Sequence, residues 1–492
     1  MLTPIQKNTG VNDSERILSQ LIEKTFLSLW SYPSPYSDEG ITKNKIGKEI
    51  CDVLVVFDKN IIIFSDKDIN FNTEKNIKIS WPRWYKKSVL ASARQLYAAE
   101  SWIKNRSTRI FLDKQCNLPF PIDLSSGRFK FHLISITKNS VKPAENYFNL
   151  YEKGSSGTLA YNYELTEEEV LQTPFFVNDI DKNKTFVHVW DEDTTDLIFT
   201  ELRTISDFIG YLNSKEKSIR NNKISGAMGE EEILASYFTG KSREFGLGEI
   251  QVPQIEGHSV FLGEGLWNEF QKSADREAIN FFQKQSEFWD DLTNRLSNGA
   301  VSAQVGEGLD LPLKSHEVAI RGMASENTFA RAVLSNAFLE KFSNVPKNIR
   351  SARLFPSPSI KDKLYIFLFL PKQSYETYED YRENRRAASQ HYGLVAKYLH
   401  PQYKIIQIIA TEPKESSGRS ESIYLFEFPK ELNDSQKKQA KQVRTKFSIL
   451  REFTVYDGKP DRDHSPKLKR KIGVNEKCYC GSGKKFKHCC KE

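Results

Sequence analysis

Cysteine is scarce in this chain, six in 492 residues, and four of the six crowd into the last fifteen positions. The other two, Cys51 and Cys116, stand alone. A disulfide framework is therefore not expected, and the usage fits a reducing, cytoplasmic setting in which clustered cysteine means metal. Nowhere do eighteen apolar residues run together, and MLTPIQKNTG lacks the basic-then-apolar pattern of a secretory leader. Neither a membrane span nor export is expected. Also missing are GxxxxGK[ST], a Rossmann GxGxxG, HExxH and GxSxG, which removes the commoner nucleotide, zinc-protease and hydrolase arrangements. The net charge of +7 is mild for this length; it permits nucleic-acid binding without demanding it. At roughly 150 residues per domain, the length allows about three cores.

What is present is most specific at the end. In CYCGSGKKFKHCC, Cys478 and Cys480 offer two thiolates one residue apart, and Cys489 and Cys490 return after a loop. That is a donor set for tetrahedral Zn²⁺. So short a segment buries little apolar surface, so the metal is expected to supply its folding free energy, roughly 10 to 16 kcal/mol for a structural site. Lys477, Lys484, Lys485, Lys487 and Lys491 compensate the negative charge of four thiolates. The segment resembles the SEC-C motif, the zinc tail of the motor ATPase of bacterial preprotein translocation and of many other bacterial proteins. Tyr479 stands where that family usually has proline, and His488 is an alternative to Cys490 as the last ligand. The resemblance implies an interaction tail and no particular activity.

At the other end, Ile17, Leu18, Leu21, Ile22, Phe26 and Leu29 recur at helical spacing, so an amphipathic helix is expected over 13–30. Two β-branched runs, Ile50 to Phe57 and Ile61 to Phe64, joined by Asp58, Lys59 and Asn60, read as a hairpin. Asp52 sits near the start of its first strand, and Ser65, Asp66 and Lys67 end the second. Side chains two apart share a strand face, so Ser65 and Lys67 point together and Asp66 points away.

This arrangement resembles the PD-(D/E)xK site of restriction-endonuclease-like folds. The resemblance implies Mg²⁺ or Mn²⁺ held by carboxylates against a phosphodiester, and a lysine that stabilises charge or orients water. Asp52 would hold metal, Lys67 act at the phosphate, Ser65 complete coordination, and Gln95 on the following helix position water or backbone; Glu100 on the same helix is a second polar residue that the resemblance places beside the site. Serine replaces the second acid of the pattern, so a carboxylate from Glu23, Glu49 or Asp68 would have to substitute. Between hairpin and helix, Trp81, Trp84 and Tyr85 interleave with Arg83, Lys86 and Lys87. The stretch suits base stacking and phosphate contact as well as it suits aromatic residues packed inward.

Further along, a strand is expected at 184–190 and one long helix or a kinked pair over 193–219, its acids mostly exposed. Glu230, Glu231 and Glu232 open another helix; consecutive acids cannot share one face, and a solvated face near the positive helix end is expected. Arg382, Arg385 and Arg386 make a basic helix start that suits phosphate contact, with a solvated face the stronger reading. KLYIFLFLP, the helix after it and YKIIQIIAT give a β-α-β unit. SSGRSES at 416–422 reads as a polar loop, and GKPDRDHSPKLKRKIGV as a flexible basic linker. FLSLWSYPSPY, KEICDVLVVFDKNIIIFSDK, WPRWYKK and YEDYRENRR together resemble a widespread family of bacterial SEC-C domain-containing proteins, a resemblance that brings no activity with it.

The expectation is an α/β (α+β) multidomain chain. It has a restriction-endonuclease-like mixed sheet flanked by helices (1–145), a strand-and-helix extension (146–262), a second α/β domain (263–456), a basic linker (457–474) and a zinc knuckle (475–492). In function it is expected to be a Mg²⁺-dependent phosphodiesterase (endonuclease), or a nuclease-derived nucleic-acid-binding protein, suited to defence against foreign DNA. The rival is a non-catalytic scaffold whose zinc tail recruits a protein or ribosomal partner.

Overall fold

A computed structural model describes residues 2–8, 13–125, 127–151, 153–239, 248–253, 258–305, 311–414, 420–451, 485 and 488. The chain divides into two units, Met1–Gln442 and Val443–Glu492. Linker and knuckle fall in the second unit, and the four knuckle cysteines lie outside the described residues.

The first unit opens with helix α1, Asp13–Trp30, whose register breaks at the buried Leu27 (φ 63, ψ 157). Few non-glycine residues occupy that region, and the surroundings must hold the chain there. Helix α7 (Ala274–Val301) does so: Ser297 accepts from the Leu29 amide at 2.9 Å, and its hydroxyl meets that of Ser28. The break turns the chain directly into β1, Ser31–Pro33.

β2 (Val53–Phe57) and β3 (Asn60–Lys67) form the expected hairpin, paired Val53 with Phe64 through Phe57 with Asn60. Asp58 takes the left-handed turn position (φ 51), which aspartate tolerates better than most residues. β4 (Lys130–Thr137) runs parallel to β3, and β5 (Val187–Trp190) parallel to β4. The mixed sheet has the sequential order β1-β2-β3-β4-β5. Every residue of β2 is buried, so both faces are covered. Alternation along β3 separates the two layers. Phe64 meets Phe26 of α1, whereas Ser65 and Lys67 reach Gln95 on α3.

The crossover from β3 to β4 is a helical rod: α2 (Ile77–Tyr85), a π-turn over Lys86–Leu90, then α3 (Ala91–Asn105). Here the structure decides between the two readings of the aromatic stretch. Trp81, Trp84 and Tyr85 are buried, their indole nitrogens donating to backbone carbonyls of Val170 and of Ile69 and Lys138. They are core residues; Arg83, Lys86 and Lys87 point outward from them, so no stacking platform for bases exists at this segment.

The helix expected over 193–219 is the pair, α4 (Glu192–Glu201) and α5 (Ile205–Arg220), each started by a side-chain cap, Asp191 and Thr204. Their acids are less exposed than expected. Asp191 is fully buried and accepts from the Thr194 and Leu159 amides, and Glu201 is buried against Arg276.

The larger correction is α6, Glu230–Phe238. All three opening glutamates are buried. Glu230 pairs with Lys215 at 2.5 Å and accepts from Tyr211; Glu231 accepts from Ser156 and Thr158; Glu232 accepts from the Gly265 and Trp267 amides. Three directions around the helix lead to three separate polar partners, so none of the acids is a solvated face.

A four-stranded sheet built from Ala160–Asn162, Phe176–Val177, Ile224–Ala227 and Val260–Leu262 lies beyond the first. A third sheet has the order β6 (Ser351–Pro356), β7 (Lys363–Phe369), β8 (Ile405–Thr411), β9 (Ser422–Glu427). β7 and β8 are parallel and joined by α10 (Tyr378–Leu399), as the β-α-β reading expected. Its core is Trp289, Phe338, Tyr365, Phe367 and Phe369, contributed by the sheet, α7 and α9 (Thr328–Asn344), while α8 (Leu313–Ala324) lies along β9. Arg385 is buried, not solvated: it stands over the Tyr381 ring and donates to Ser420, with Glu412 at 3.5 Å. No helix among the described residues is long and apolar enough to cross a membrane.

Candidate functional site

The end of the β2–β3 hairpin gathers most of the residues singled out by sequence. Asp52 precedes β2, is buried, and through Oδ2 accepts from the Asp66 amide at 2.6 Å. One short bond thus fixes the carboxylate against the strand that carries Ser65 and Lys67. Lys67 Nζ donates to Gln95 Oε1 at 2.6 Å, and the Ser65 hydroxyl reaches the same oxygen at 3.4 Å. Gln95 is therefore the hub that aims the lysine from the α3 side. Ser65 faces Ser135 across the parallel β3–β4 register, and Ser88, Ser92 and Gln95 follow one another at the spacing of a single helix face. The hydroxyls of Ser88, Ser92 and Ser135 are buried without partners.

Glu49 belongs to the same electrostatic neighbourhood. Burial pushes the Asp52 carboxyl up to about 6, the Asp66 amide and Lys67 oppose that, and Glu49 and Asp66 add to it. Burial also raises Glu49, with Glu15 adding and Ser34, Lys114 and Lys67 opposing. Glu49 Oε1 is buried and has no hydrogen-bond partner. Two crowded acids beside one lysine form a donor set that a divalent cation would relieve, since Mg²⁺ is commonly held by one or two carboxylates plus phosphate oxygens. Among the described residues, however, no three of His, Cys, Asp and Glu converge to hold a metal ion.

The remaining candidates lie elsewhere. Asp66 faces the α1 side, where it accepts from Ser14 and Lys138, and its Oδ1 is unpartnered. Asp68 is exposed and accepts from Asn139 at 2.7 Å. Glu23 is exposed on α1, and its charge acts on Lys7. Glu100 binds Lys104 and Thr185, away from Gln95. The acid that α1 contributes toward the hairpin is Glu15, which acts on both Glu49 and Tyr36. Sequence reasoning missed it; its signal is its place three residues before Leu18 and seven before Ile22, on the face of α1 that is buried.

Charge is partitioned unevenly between the units. After Gln442 come 14 of the 71 Lys and Arg and 6 of the 64 Asp and Glu, so Val443–Glu492 carries a formal +8 and the rest of the chain −1. The mild overall charge is a neutral body joined to a strongly cationic end.

No curated protein and no solved structure matches the chain. A model of the SEC-C motif matches residues 475–492, a segment that contains Cys478, Cys480, Cys489 and Cys490, and the motif implies zinc binding at this end of the chain.

Proposed function

We propose that the hairpin module is a nuclease-derived phosphodiester-binding centre, and that the zinc tail is its cationic accessory for an acidic partner, nucleic acid above all. The observation that carries this reading is the joining of Asp52 to the Asp66 amide and of Lys67 to Gln95 at one end of a mixed sheet whose strands follow in sequential order. Asp52 and Glu49 would hold Mg²⁺ or Mn²⁺, and the cation would supply charge neutralisation at the phosphate. Lys67, oriented by Gln95, would face a phosphate oxygen or the attacking water, while Ser65 contributes a neutral hydroxyl. The unpartnered Glu49 oxygen and the raised carboxyls of Asp52 and Glu49 support the metal assignment.

The non-catalytic scaffold remains the second reading. It is favoured by Ser65 at the usual acid position and by the lack of a third carboxylate among the described residues.

The experiment is cleavage of plasmid, single-stranded DNA and RNA by zinc-loaded protein in Mg²⁺ or Mn²⁺. Asp52→Ala and Lys67→Ala serve as paired variants. Cleavage abolished in both is the expected result. Salt-sensitive binding without cleavage would mark a degenerate nuclease fold used for recognition, neither binding nor cleavage would favour the scaffold reading, and cleavage retained in Asp52→Ala would sink the assignment of the centre.

A further inference from the structure

Far from the hairpin end, a cavity of about 180 Å³ opens where α4, α5, α6, α7 and the start of α9 meet. Its aromatic walls, Phe238, Phe282 and Phe329, are half-buried, so it communicates with solvent. Phe282 and Phe329 pack edge to face with centroids 5.0 Å apart, which stiffens one side.

Two carboxylates line the same space, and they differ. Glu201 is neutralised by Arg276. Asp207 pairs with no cation among the described residues. Its Oδ2 accepts from the Thr204 hydroxyl at 2.7 Å, the Thr328 amide at 3.0 Å and the Thr328 hydroxyl at 2.7 Å, and no described group donates to its Oδ1. Those neutral donors hold the carboxylate in place without cancelling its charge. Tyr237, 2 % exposed, completes the lining, with the Gly248 amide against its hydroxyl.

We propose that this cavity binds a small organic cation, a primary ammonium on a short apolar or aromatic body. The ammonium donates to Asp207 and stands within reach of the aromatic faces, where a cation is attracted to the ring quadrupole. The body fills the space between Phe238, Phe282 and Phe329. An anion would meet Asp207 unfavourably, and a neutral ligand would leave its charge unpaired. At this volume the ligand is smaller than the drug-sized molecules that occupy typical pockets of several hundred Å³. The site is independent of the hairpin centre.

The test is isothermal titration of the full zinc-loaded chain with 2-phenylethylamine, beside neutral 2-phenylethanol and anionic 3-phenylpropionate. The expected result is one saturable site for the amine, at least about tenfold tighter than for either analogue, the difference one charged hydrogen bond makes. Ala278→Trp, which fills the cavity from α7, should remove that binding. Asp207→Asn should weaken it about tenfold. Asp207 also ties α5 to the start of α9, so if this variant does not fold, Phe282→Leu, which removes one aromatic wall without touching that tie, replaces it and is expected to weaken amine binding. No saturation, equal binding of the three probes, or amine binding unchanged in Ala278→Trp would overturn the proposal.

Discussion

Replacing Glu231 with glutamine should make the protein more stable at alkaline pH and leave it nearly unchanged at acid pH. In the native fold Glu231 Oε1 accepts from the Ser156 hydroxyl at 2.8 Å and the Thr158 hydroxyl at 2.9 Å, and the side chain is shut away from water. Burial pushes its carboxyl from the ordinary 4.5 up to about 7; its own backbone amide, Ser156 and Thr158 only partly oppose this, and Asp191 adds to it. The folded state therefore holds a proton that the unfolded chain has already released, and stability falls as pH rises from 4.5 through 7. A rise of about 2.5 pH units corresponds to about 3 kcal/mol. That contribution is fully present below pH 4.5 and lost above pH 7. Glutamine keeps the shape and a hydrogen-bonding amide but has no proton to lose. Urea unfolding at pH 5 and pH 8 measures the effect, and the variant should show a smaller loss of midpoint between them than the parent. Asp52, raised to about 6, acts in the same direction in both proteins and cancels in the difference; Asp191, also raised to about 6, interacts with Glu231, so its share shrinks in the variant and adds to the predicted effect. Identical pH responses in the two proteins would refute the argument.

Other expectations follow from the same structure. Lys215→Met strands the fully buried Glu230 and should cost about 3–5 kcal/mol in urea unfolding, whereas adding Glu230→Gln should recover part of that loss. Zinc should bind at one equivalent by elemental analysis, and the double change Cys480→Ser, Cys489→Ser should eliminate it. Changing Lys467, Lys469, Arg470 and Lys471 together to alanine should flatten the salt dependence of nucleic-acid binding, lowering the slope of log K against log salt by roughly three to four. An unchanged slope would place the contacts elsewhere.

The parts of the fold that were legible in the sequence are those written in local periodicity. The β-branched runs at Val53–Phe57 and Ile61–Phe64 gave the hairpin, and the apolar recurrence from Leu18 to Leu29 gave α1. The strand-helix-strand order around α10 likewise became a parallel pair. Within the candidate site, the hairpin and strand alternation bring Asp52, Ser65 and Lys67 together, whereas Gln95, on α3, is named only through the PD-(D/E)xK resemblance.

What escaped depends on distant partners. Glu230, Glu231 and Glu232 look like a solvated charge run until Lys215, Thr158 and Gly265 arrive from other elements. Arg385 looks exposed until Glu412 and Ser420 close over it. Trp81, Trp84 and Tyr85 did carry a usable signal, since spacing of three and four places them on one helix face, which favours the core over a binding surface. Glu15 carried only its spacing from Leu18 and Ile22, which places it on the buried face of α1 but not beside Glu49, because that depends on how α1 crosses the hairpin end.

The measurement that bears most directly on the hairpin centre is titration of zinc-loaded protein with Mn²⁺, followed by electron paramagnetic resonance, beside Asp52→Asn and Glu49→Gln. It needs no knowledge of the substrate. One Mn²⁺ site in the parent, weakened or lost in each variant, is the predicted result. No site in the parent, or a site that survives both substitutions combined, would contradict a metal-dependent phosphodiester centre at Asp52 and Glu49.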